Sequence, residues 1–409
     1  MCLPIKPLHR TVIACAIAAA LPASAFAVTD LEQLQAEVAQ LKRDVKDAQE
    51  WRSQNSLVHL AGYADVGYEK SDAEGDDGSY NIGTFAPIFH YQYRDLVMLE
   101  AELEVGTAED GSTETAMEYL TIDWIINDYM ILVAGKFLSP IGNFRQNLHP
   151  SWINKLPSAP TGFGHDGAAP VSDLGVQLRG GFHIGGMKAN YAVYTGNGPE
   201  IKAEIEADGA DSTVVEEIEF DGVEAEGFGA DGDGEKVFGG RFGLLPMPSL
   251  EIGVSFLSGK ASVTEFEGDE YTGADISLDG VAASSYDVTG VDISWRSKQI
   301  DVRYEYVKSE VGETVIAPGG GDYDVEAAEW SVWYAQAAYR FPGTKYEAVV
   351  RYNEFDSPHG SADREQTAIG VNYLFSNNFI GKLAFESNDN PNAGFEADDR
   401  TLVQLAYGF

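Results

Sequence analysis

The segment VMLEAELEV at Val97–Val105 decides the class of fold, because its side chains alternate between apolar and acidic from Leu99 onward. Successive side chains of a β-strand point to opposite faces, so such a strand has one face suited to hydrocarbon and one suited to water. The segment IDVRYEY at Ile300–Tyr306 repeats this pattern, with aspartate, arginine and glutamate at alternate positions. Both segments therefore predict strands that separate an apolar environment from an aqueous one.

The same alternation recurs along the chain and predicts sixteen strands. Their approximate ranges are 57–69, 80–93, 96–106, 116–127, 129–137, 171–185, 187–196, 236–245, 249–258, 286–296, 299–308, 328–341, 345–355, 365–375, 379–387 and 400–409. Short turns and long polar loops alternate between these strands. This segregation, with an even strand number, is typical of bacterial outer-membrane β-barrels. Because backbone polar groups cannot stay unpaired in lipid, the strands must close on themselves. We therefore predict an all-β fold, a 16-stranded antiparallel transmembrane barrel over residues 56–409.

Residues 1–27 have the pattern of a secretory signal peptide. Basic residues precede an apolar run over 11–21, and Ala25-Phe26-Ala27 supplies a small-residue cleavage site, so cleavage is predicted after Ala27. A lipoprotein cleavage box at 12–15 is a weaker alternative, because only four residues separate Arg10 from Cys15. The prediction is export to the cell outer membrane.

Residues 28–55 predict a periplasmic coiled-coil segment. Its apolar residues follow the 3,4 spacing of a coiled-coil seam, at Leu31, Leu34, Val38, Leu41, Val45 and Ala48. Isolated helices of about 20 residues are marginal, so this helix is expected to need a multimer. The alternative is an amphipathic helix that packs on its own domain.

Composition excludes several classes of function. The only two cysteines, Cys2 and Cys15, fall in the signal peptide, which excludes disulfides and cysteine metal sites from the mature chain. The formal net charge of −38 argues against nucleic acid as a partner. No histidine or serine lies in a recognisable nucleophile motif, so we predict no enzymatic activity, no cofactor and no metal site.

The C-terminal segment, with Tyr407 and Phe409 at alternate positions, resembles the closing strand and assembly signal of bacterial outer-membrane proteins. Together with the coiled-coil leader and Gly135-Lys136-Phe137 running into Pro140-Ile141-Gly142, the chain resembles trimeric porins of the phosphate-selective porin O/P superfamily. The resemblance implies a homotrimer of Gram-negative origin. It also implies insertion by the barrel assembly machinery and contact with outer-membrane lipid and lipopolysaccharide.

The long Gly- and Pro-rich loop from Leu138 to Pro170 is predicted to fold into the barrel and narrow it, because loops of this length are usually functional and this one keeps large apolar residues. Residues expected at the pore constriction are Lys136, Arg145, His149, Trp152 and Lys155. Residues expected to line the pore are Glu100, Glu102, Glu104, Arg179, Arg241, Asp301, Arg303, Glu305 and Arg351. The acid-rich loop 197–235 is interpreted as a solvated surface.

The function expected from the sequence is passive diffusion of small hydrophilic solutes and ions, with a weak anion preference from the basic residues of the constriction. One alternative is a substrate-specific channel for phosphate, carboxylates or sugars. Another is a plugged barrel that acts as an adhesin or envelope tether.

Overall fold

The computed structural model describes residues 56–81, 83–108, 111–164, 168–208, 211–224, 234–267, 281–316, 323–359, 361–392 and 397–409. Leu57–Phe409 forms one compact unit. The predicted signal peptide (1–27) and coiled-coil segment (28–55) lie outside the described residues, so both remain predictions.

The described chain is almost entirely β-strand. In chain order the strands are β1 (Ser56–Ser71), β2 (Ser79–Asn81), β3 (Phe85–Tyr93), β4 (Val97–Thr107), β5 (Thr113–Asn127), β6 (Met130–Leu138), β7 (Ser172–Ile184), β8 (Met187–Gly196), β9 (Glu200–Asp208), β10 (Asp211–Glu224), β11 (Val237–Met247), β12 (Leu250–Glu267), β13 (Ser284–Arg296), β14 (Ile300–Val311), β15 (Thr314–Ile316), β16 (Tyr323–Val325), β17 (Ala328–Arg340), β18 (Tyr346–Asp356), β19 (Arg364–Leu374), β20 (Phe379–Asp389) and β21 (Arg400–Gly408). A four-residue helix, α1 (Phe144–Asn147), lies between β6 and β7. Within the described ranges, no helix is long and apolar enough to cross a membrane.

Sixteen of these strands form the barrel wall; β2, β9, β10, β15 and β16 are additions at one end. Each wall strand pairs antiparallel with the next, and β8 pairs with β11 across the inserted β9 and β10. The wall closes where β1 pairs with β21, from Tyr63 opposite Gly408 to Ser71 opposite Arg400. The predicted closed antiparallel barrel of sixteen strands is confirmed.

The outer face of the wall is apolar. In β21, Val403, Leu405 and Tyr407 are exposed, whereas the residues between them are buried. The same alternation holds in β19, where Ile369 and Val371 are exposed. An exposed band of large apolar side chains is what a lipid-facing wall requires.

Phe409 joins the two ends of the wall. Its ring stacks on Phe85 at 6.2 Å between centroids, and its backbone pairs with Gly62 in both directions. Gly62 has φ +155, and a β-carbon there would lie 2.8 Å from the Phe409 ring and 2.4 Å from the Ala86 carbonyl. The absence of a side chain at Gly62 therefore allows the last aromatic residue to seat on the seam.

We predict that Phe409→Ala lowers the yield of folded barrel in the membrane, because the seam between β1 and β21 loses its terminal contact. Phe341→Ala is the matched control, since Phe341 is an equally exposed aromatic residue away from the seam. The measurement is the fraction of heat-modifiable protein on an unboiled gel. Equal yields for the two variants would contradict an assembly role for Phe409.

The prediction of a solvated loop at 197–235 is wrong in part. β9 and β10 form a hairpin in this region, and β9 also pairs in parallel with the end of β12. Ile201, Ile218 and Phe220 are buried by this hairpin. Alternation of apolar with acidic residues lets the segment bury one face while its many carboxylates stay on the other.

Candidate functional site

The described residues between β6 and β7, 139–164 and 168–171, lie against the inward-facing side chains of the wall; we call them the inner loop. Its two ends meet where the Ser139 N–H donates to the Val171 carbonyl at 2.9 Å. The Asn143 N–H donates to Glu305 on β14 at 2.8 Å, and the Gly142 N–H to Ser255 on β12 at 3.2 Å. Backbone polar groups buried inside a barrel need such partners, and here the inward-facing side chains of the wall supply them.

Gly142 shows how closely the inner loop approaches the wall. Its φ is +72, and a β-carbon added there would lie 1.8 Å from Glu305 Oε1. Glycine is the residue that adopts this backbone conformation without strain and leaves room for the carboxylate. The glycine of the Pro140-Ile141-Gly142 motif is therefore explained by its close contact with Glu305, where the loop enters the barrel.

The middle of the inner loop is held by charged residues of β18 and β20. Lys155 Nζ lies 2.9 Å from Glu347 Oε2, and Lys382 Nζ donates to the Leu156 carbonyl at 3.1 Å. Arg351 donates to the Ser158 carbonyl at 3.0 Å and to its hydroxyl at 2.9 Å. Because these contacts are buried and charge-assisted, they fix the loop against one side of the wall.

Four of the cavities bordered by described residues lie beside the inner loop. An upper cavity of about 500 Å³ opens among the long loops and is bordered by Arg364 and Arg400. A middle cavity of about 220 Å³ lies between Tyr63 and Arg145. A connecting cavity of about 190 Å³ and a lower cavity of about 590 Å³ lie toward the short turns, and Arg179 borders both. The inner loop therefore borders polar spaces from the long-loop end of the barrel to the short-turn end.

The middle cavity is rich in carboxylates. Its lining includes Asp65, Glu104 and Glu118, with Arg145 and His149 from the inner loop. Arg145 Nη2 lies 3.5 Å from Glu118, and His149 Nε2 lies 3.9 Å from Glu102, a glutamate of the neighbouring wall. Three carboxylates face one guanidinium and one imidazole in this space, so its net charge is negative when the histidine is neutral.

The lower cavity is lined by arginines that each carry carboxylate partners. Arg179 lies 2.5 Å from Asp123 and 3.1 Å from Glu100, and Arg241 lies 2.6 Å from Asp292. Arg179 is 37% exposed whereas Asp123 is fully buried, so the guanidinium is the more accessible partner. In the Arg241 cluster Glu251 is the more exposed partner, 26% against 8% for Arg241, so the cavity presents both signs of charge to a solute.

Several predicted pore-lining residues point inward but do not border open space. Arg303, Glu305 and Arg351 are at most 3% exposed, and none borders the four cavities. The inner loop covers Glu305 and Arg351 and uses them as hydrogen-bond partners. Arg303 instead pairs with Asp301 on the same strand at 2.8 Å. The prediction that these buried residues line open space is wrong.

The constriction residues divide into two groups. Arg145 and His149 border the middle cavity, whereas Trp152 lies over the backbone of Gly408 and Lys155 is tied to Glu347. The inner loop thus presents Arg145 and His149 to open space, whereas Trp152 and Lys155 hold the loop against the wall.

The placement of Lys136 on the inner face is wrong. Lys136 is in register with Leu120 and Leu174 on the outward side of β5 and β7, and its amine donates to the Met117 carbonyl at 2.8 Å. The inward position is taken by Phe137, which packs edge-to-face on Tyr194. An aromatic residue is favoured there because the inner loop covers it.

Sequence reasoning missed four uncharged polar residues that border the lower cavity: Asn147, Gln146, Gln177 and Asn190. Asn190 donates to Glu251 and accepts from Arg241. No motif marks these residues. The only available signal was their position on inward-facing strand registers and on the polar side of α1.

The β9–β10 hairpin reaches across part of the long-loop end. His359, between β18 and β19, lies 2.7 Å from the Phe220 carbonyl of β10, and its other ring nitrogen lies 3.5 Å from Glu219. Burial raises the pKa of the Glu219 carboxyl, and neighbouring Glu217 adds to this shift, while His359 opposes it. The hairpin therefore contacts the connection between β18 and β19 at this mouth.

No group of three or more His, Cys, Asp or Glu side chains is arranged to hold a metal ion among the described residues. A scan of the sequence against protein-family models and against curated proteins finds no match.

Comparison with solved structures finds proteins of similar fold. The anion-selective porin from Comamonas acidovorans matches with a TM-score of 0.54 and 16% identity, covering 87% of this chain and 100% of that one. The trimer form of in-vitro folded OmpT, an outer membrane protein of Vibrio cholerae, has a TM-score of 0.51 and 9% identity, with 87% and 100% covered. OmpF of Salmonella typhi, in complex with daunomycin, has a TM-score of 0.52 and 12% identity, with 86% and 97% covered. At these identities the comparisons establish the fold that the chain shares with these proteins.

Proposed function

We propose that this protein is an outer-membrane porin through which small hydrophilic solutes and ions diffuse passively. The observation that carries the proposal is the set of polar cavities that border the inner loop from the long-loop end to the short-turn end of the described barrel. A barrel of sixteen strands is wide enough for an aqueous channel, and a loop held inside it sets the bore. Selection then depends on size and electrostatics, with no chemical step.

The narrowest part of the proposed route lies where α1 approaches β5. The middle cavity borders Arg145 on one side of α1, and the connecting cavity borders Gln146 and Asn147 on the other. Arg145 lies 3.5 Å from Glu118 of β5, and both residues border the middle cavity. We assign the pore constriction to this contact and not to Lys155 or Trp152.

The charges along this route favour a weak cation preference. The anion preference expected from the sequence assumed free bases at the constriction, but Arg145 faces Glu118 and Lys155 faces Glu347. The net negative charge of the middle cavity attracts cations, and the exposed Arg179 and Arg296 of the lower cavity oppose it. The two regions act in series, which keeps the preference weak.

The proposed setting is the outer membrane of a Gram-negative bacterium, with the short turns toward the periplasm and the long loops outside. Homotrimer formation is part of the proposal, supported by the predicted coiled-coil seam and by the trimer form of the similar Vibrio cholerae protein. Outer-membrane lipid, lipopolysaccharide and the assembly machinery would be its partners.

The test is the zero-current potential of the purified protein in a planar bilayer under a KCl gradient. Steady conductance with a small potential of the sign for K⁺ preference supports the proposal. Saturable block of the current by phosphate, a carboxylate or a sugar would instead indicate a substrate-specific channel. Correctly folded, inserted protein without steady conductance would overturn the porin assignment and favour a plugged barrel that serves as an adhesin or tether.

A further inference from the structure

Two histidines face each other on the inner wall near the short-turn end. His59 lies near the start of β1, and His90 lies near the end of β3. His90 is in register with Glu100, which contacts Arg179 of the lower cavity, so this face of β3 and β4 points into the barrel. The two rings therefore lie at the inner rim of the barrel, away from the inner loop and its anchors.

The geometry brings two nitrogens of the same kind together. Nδ1 of His59 and Nδ1 of His90 are 3.3 Å apart, the ring centroids are 5.5 Å apart, and the ring planes differ by 21°. The nitrogens thus face each other, and the rings are not stacked face to face. Two nitrogens bound tetrahedrally to zinc, at about 2.0–2.1 Å each, are separated by about 3.3–3.4 Å. The N–N separation therefore fits a shared metal ion. Because the two lone pairs point at each other in the metal-free state, each ring must turn by about 35° to aim its lone pair at an ion about 2.0–2.1 Å from both nitrogens.

Glu100 favours the tautomer of His90 that can bind a metal through Nδ1. Its Oε1 lies 3.5 Å from Nε2 of His90, on the side of the ring away from His59. A carboxylate at that position favours the tautomer with its proton on Nε2, which leaves the Nδ1 lone pair free for a metal. His59 then donates its Nδ1 proton to His90 in the metal-free state. That proton moves to the exposed Nε2 of His59 when a metal takes its place.

We propose that His59 and His90 form a binding site for a borderline transition-metal ion such as Zn²⁺, Ni²⁺ or Cu²⁺. The two imidazoles supply two ligands, and water completes the coordination. Imidazole favours these metals over Ca²⁺ or Mg²⁺, which take oxygen ligands. Glu100 stays outside the coordination shell, so the site is a pair with a carboxylate behind it and not a cluster of three ligands. The site differs from the proposed constriction and stands whether or not the barrel conducts.

Direct binding tests the proposal without reference to conduction. Isothermal titration of the full-length folded protein with ZnCl₂ or NiCl₂ at neutral pH should give one saturable site per chain. Cu²⁺ should bind more tightly than either metal, in the order expected for nitrogen ligands. Acidification should release the metal, because protonated imidazole is not a ligand.

Variants separate this pair from adventitious binding. His59→Ala and His90→Ala should each remove the saturable site. Glu100→Gln should keep both ligands and weaken binding by about tenfold or more, as expected when a partner of a metal-bound histidine is lost. His183→Ala is the control, since His183 is an exposed histidine near the same end of the barrel.

The outcomes are distinct. Loss of the site in the two ligand variants with retention in His183→Ala supports the proposal. Unchanged binding in His59→Ala or His90→Ala, or equal loss in His183→Ala, would overturn it. Heat modifiability on unboiled gels checks that each variant is folded, and a Cu²⁺ EPR spectrum with two-nitrogen coupling in the unmodified protein provides a readout independent of mutation.

Discussion

Arg145→Ala is expected to raise the single-channel conductance and to shift the zero-current potential toward stronger cation preference. The substitution removes the side chain that meets Glu118 at the border of the middle cavity, so the passage widens. It also leaves the carboxylates of the middle cavity without their guanidinium. One charge about 6 Å from a permeating ion is worth about 0.7 kcal/mol in water, so the cation-to-anion permeability ratio should rise by about threefold. Single-channel recording under a salt gradient measures both effects.

Lys155→Ala is the matched control for this prediction. It removes one positive charge from the same loop and breaks one ion pair, with Glu347, but Lys155 borders none of the four cavities. Its conductance and selectivity should therefore stay close to those of the unmodified protein. A larger selectivity change in Lys155→Ala than in Arg145→Ala would place the constriction on the other side of the inner loop.

Arg351→Ala should destabilise the barrel more than any other single arginine substitution in the wall. Arg351 is fully buried, donates to Ser158 and Gln366, and lies 3.5 Å from the buried Glu386. Its removal takes a counter-charge from Glu386 and releases the middle of the inner loop. Breaking a buried pair in this way costs about 3–5 kcal/mol. The unfolding temperature should fall, and current noise should rise because the loop is no longer held.

Arg296→Ala is the control for Arg351→Ala, because it removes an exposed charge where the other variant removes a buried one. Arg296 is 53% exposed and pairs with Asp301 at 3.5 Å, so its removal should cost less than about 1 kcal/mol. Urea titrations of the two variants in matched detergent or lipid provide the comparison. Similar midpoints would mean that Arg351 does not hold the inner loop.

Strand alternation was sufficient to predict the wall. The short turns and long loops give the order of the sixteen strands, because neighbours joined by a short turn must pair. The segment EIKAEIEAD at Glu200–Asp208 shows the limit of this approach. The density of acids in this segment led us to interpret it as a solvated loop. The segment forms a strand because it pairs with the end of β12, and the local sequence pattern does not predict that contact.

The inner loop was recognisable, but its contacts were not. Proline, glycine and large apolar residues indicated an ordered segment, and the sequence supplied Arg145 and Lys155 as candidate charges. Which of them faces open space depends on partners far away in the chain, such as Glu347 for Lys155. The contribution of a basic residue to ion selectivity can be judged only when its acidic partners are known. This is why the same residues predicted an anion preference and now support a weak cation preference.

The pairing of β1 with β21 also constrains how the protein is made. The backbone groups on one edge of β1 find their partners only when β21 arrives, at the other end of the described barrel. The interior strands can pair with their sequence neighbours beforehand, but the outer edges of β1 and β21 cannot complete their hydrogen bonds until the barrel closes, which makes closure the contact of longest range. Until then these two edges are open to pairing with other chains. The excess of carboxylates would help over the same interval, since mutual repulsion keeps unfinished chains apart in solution.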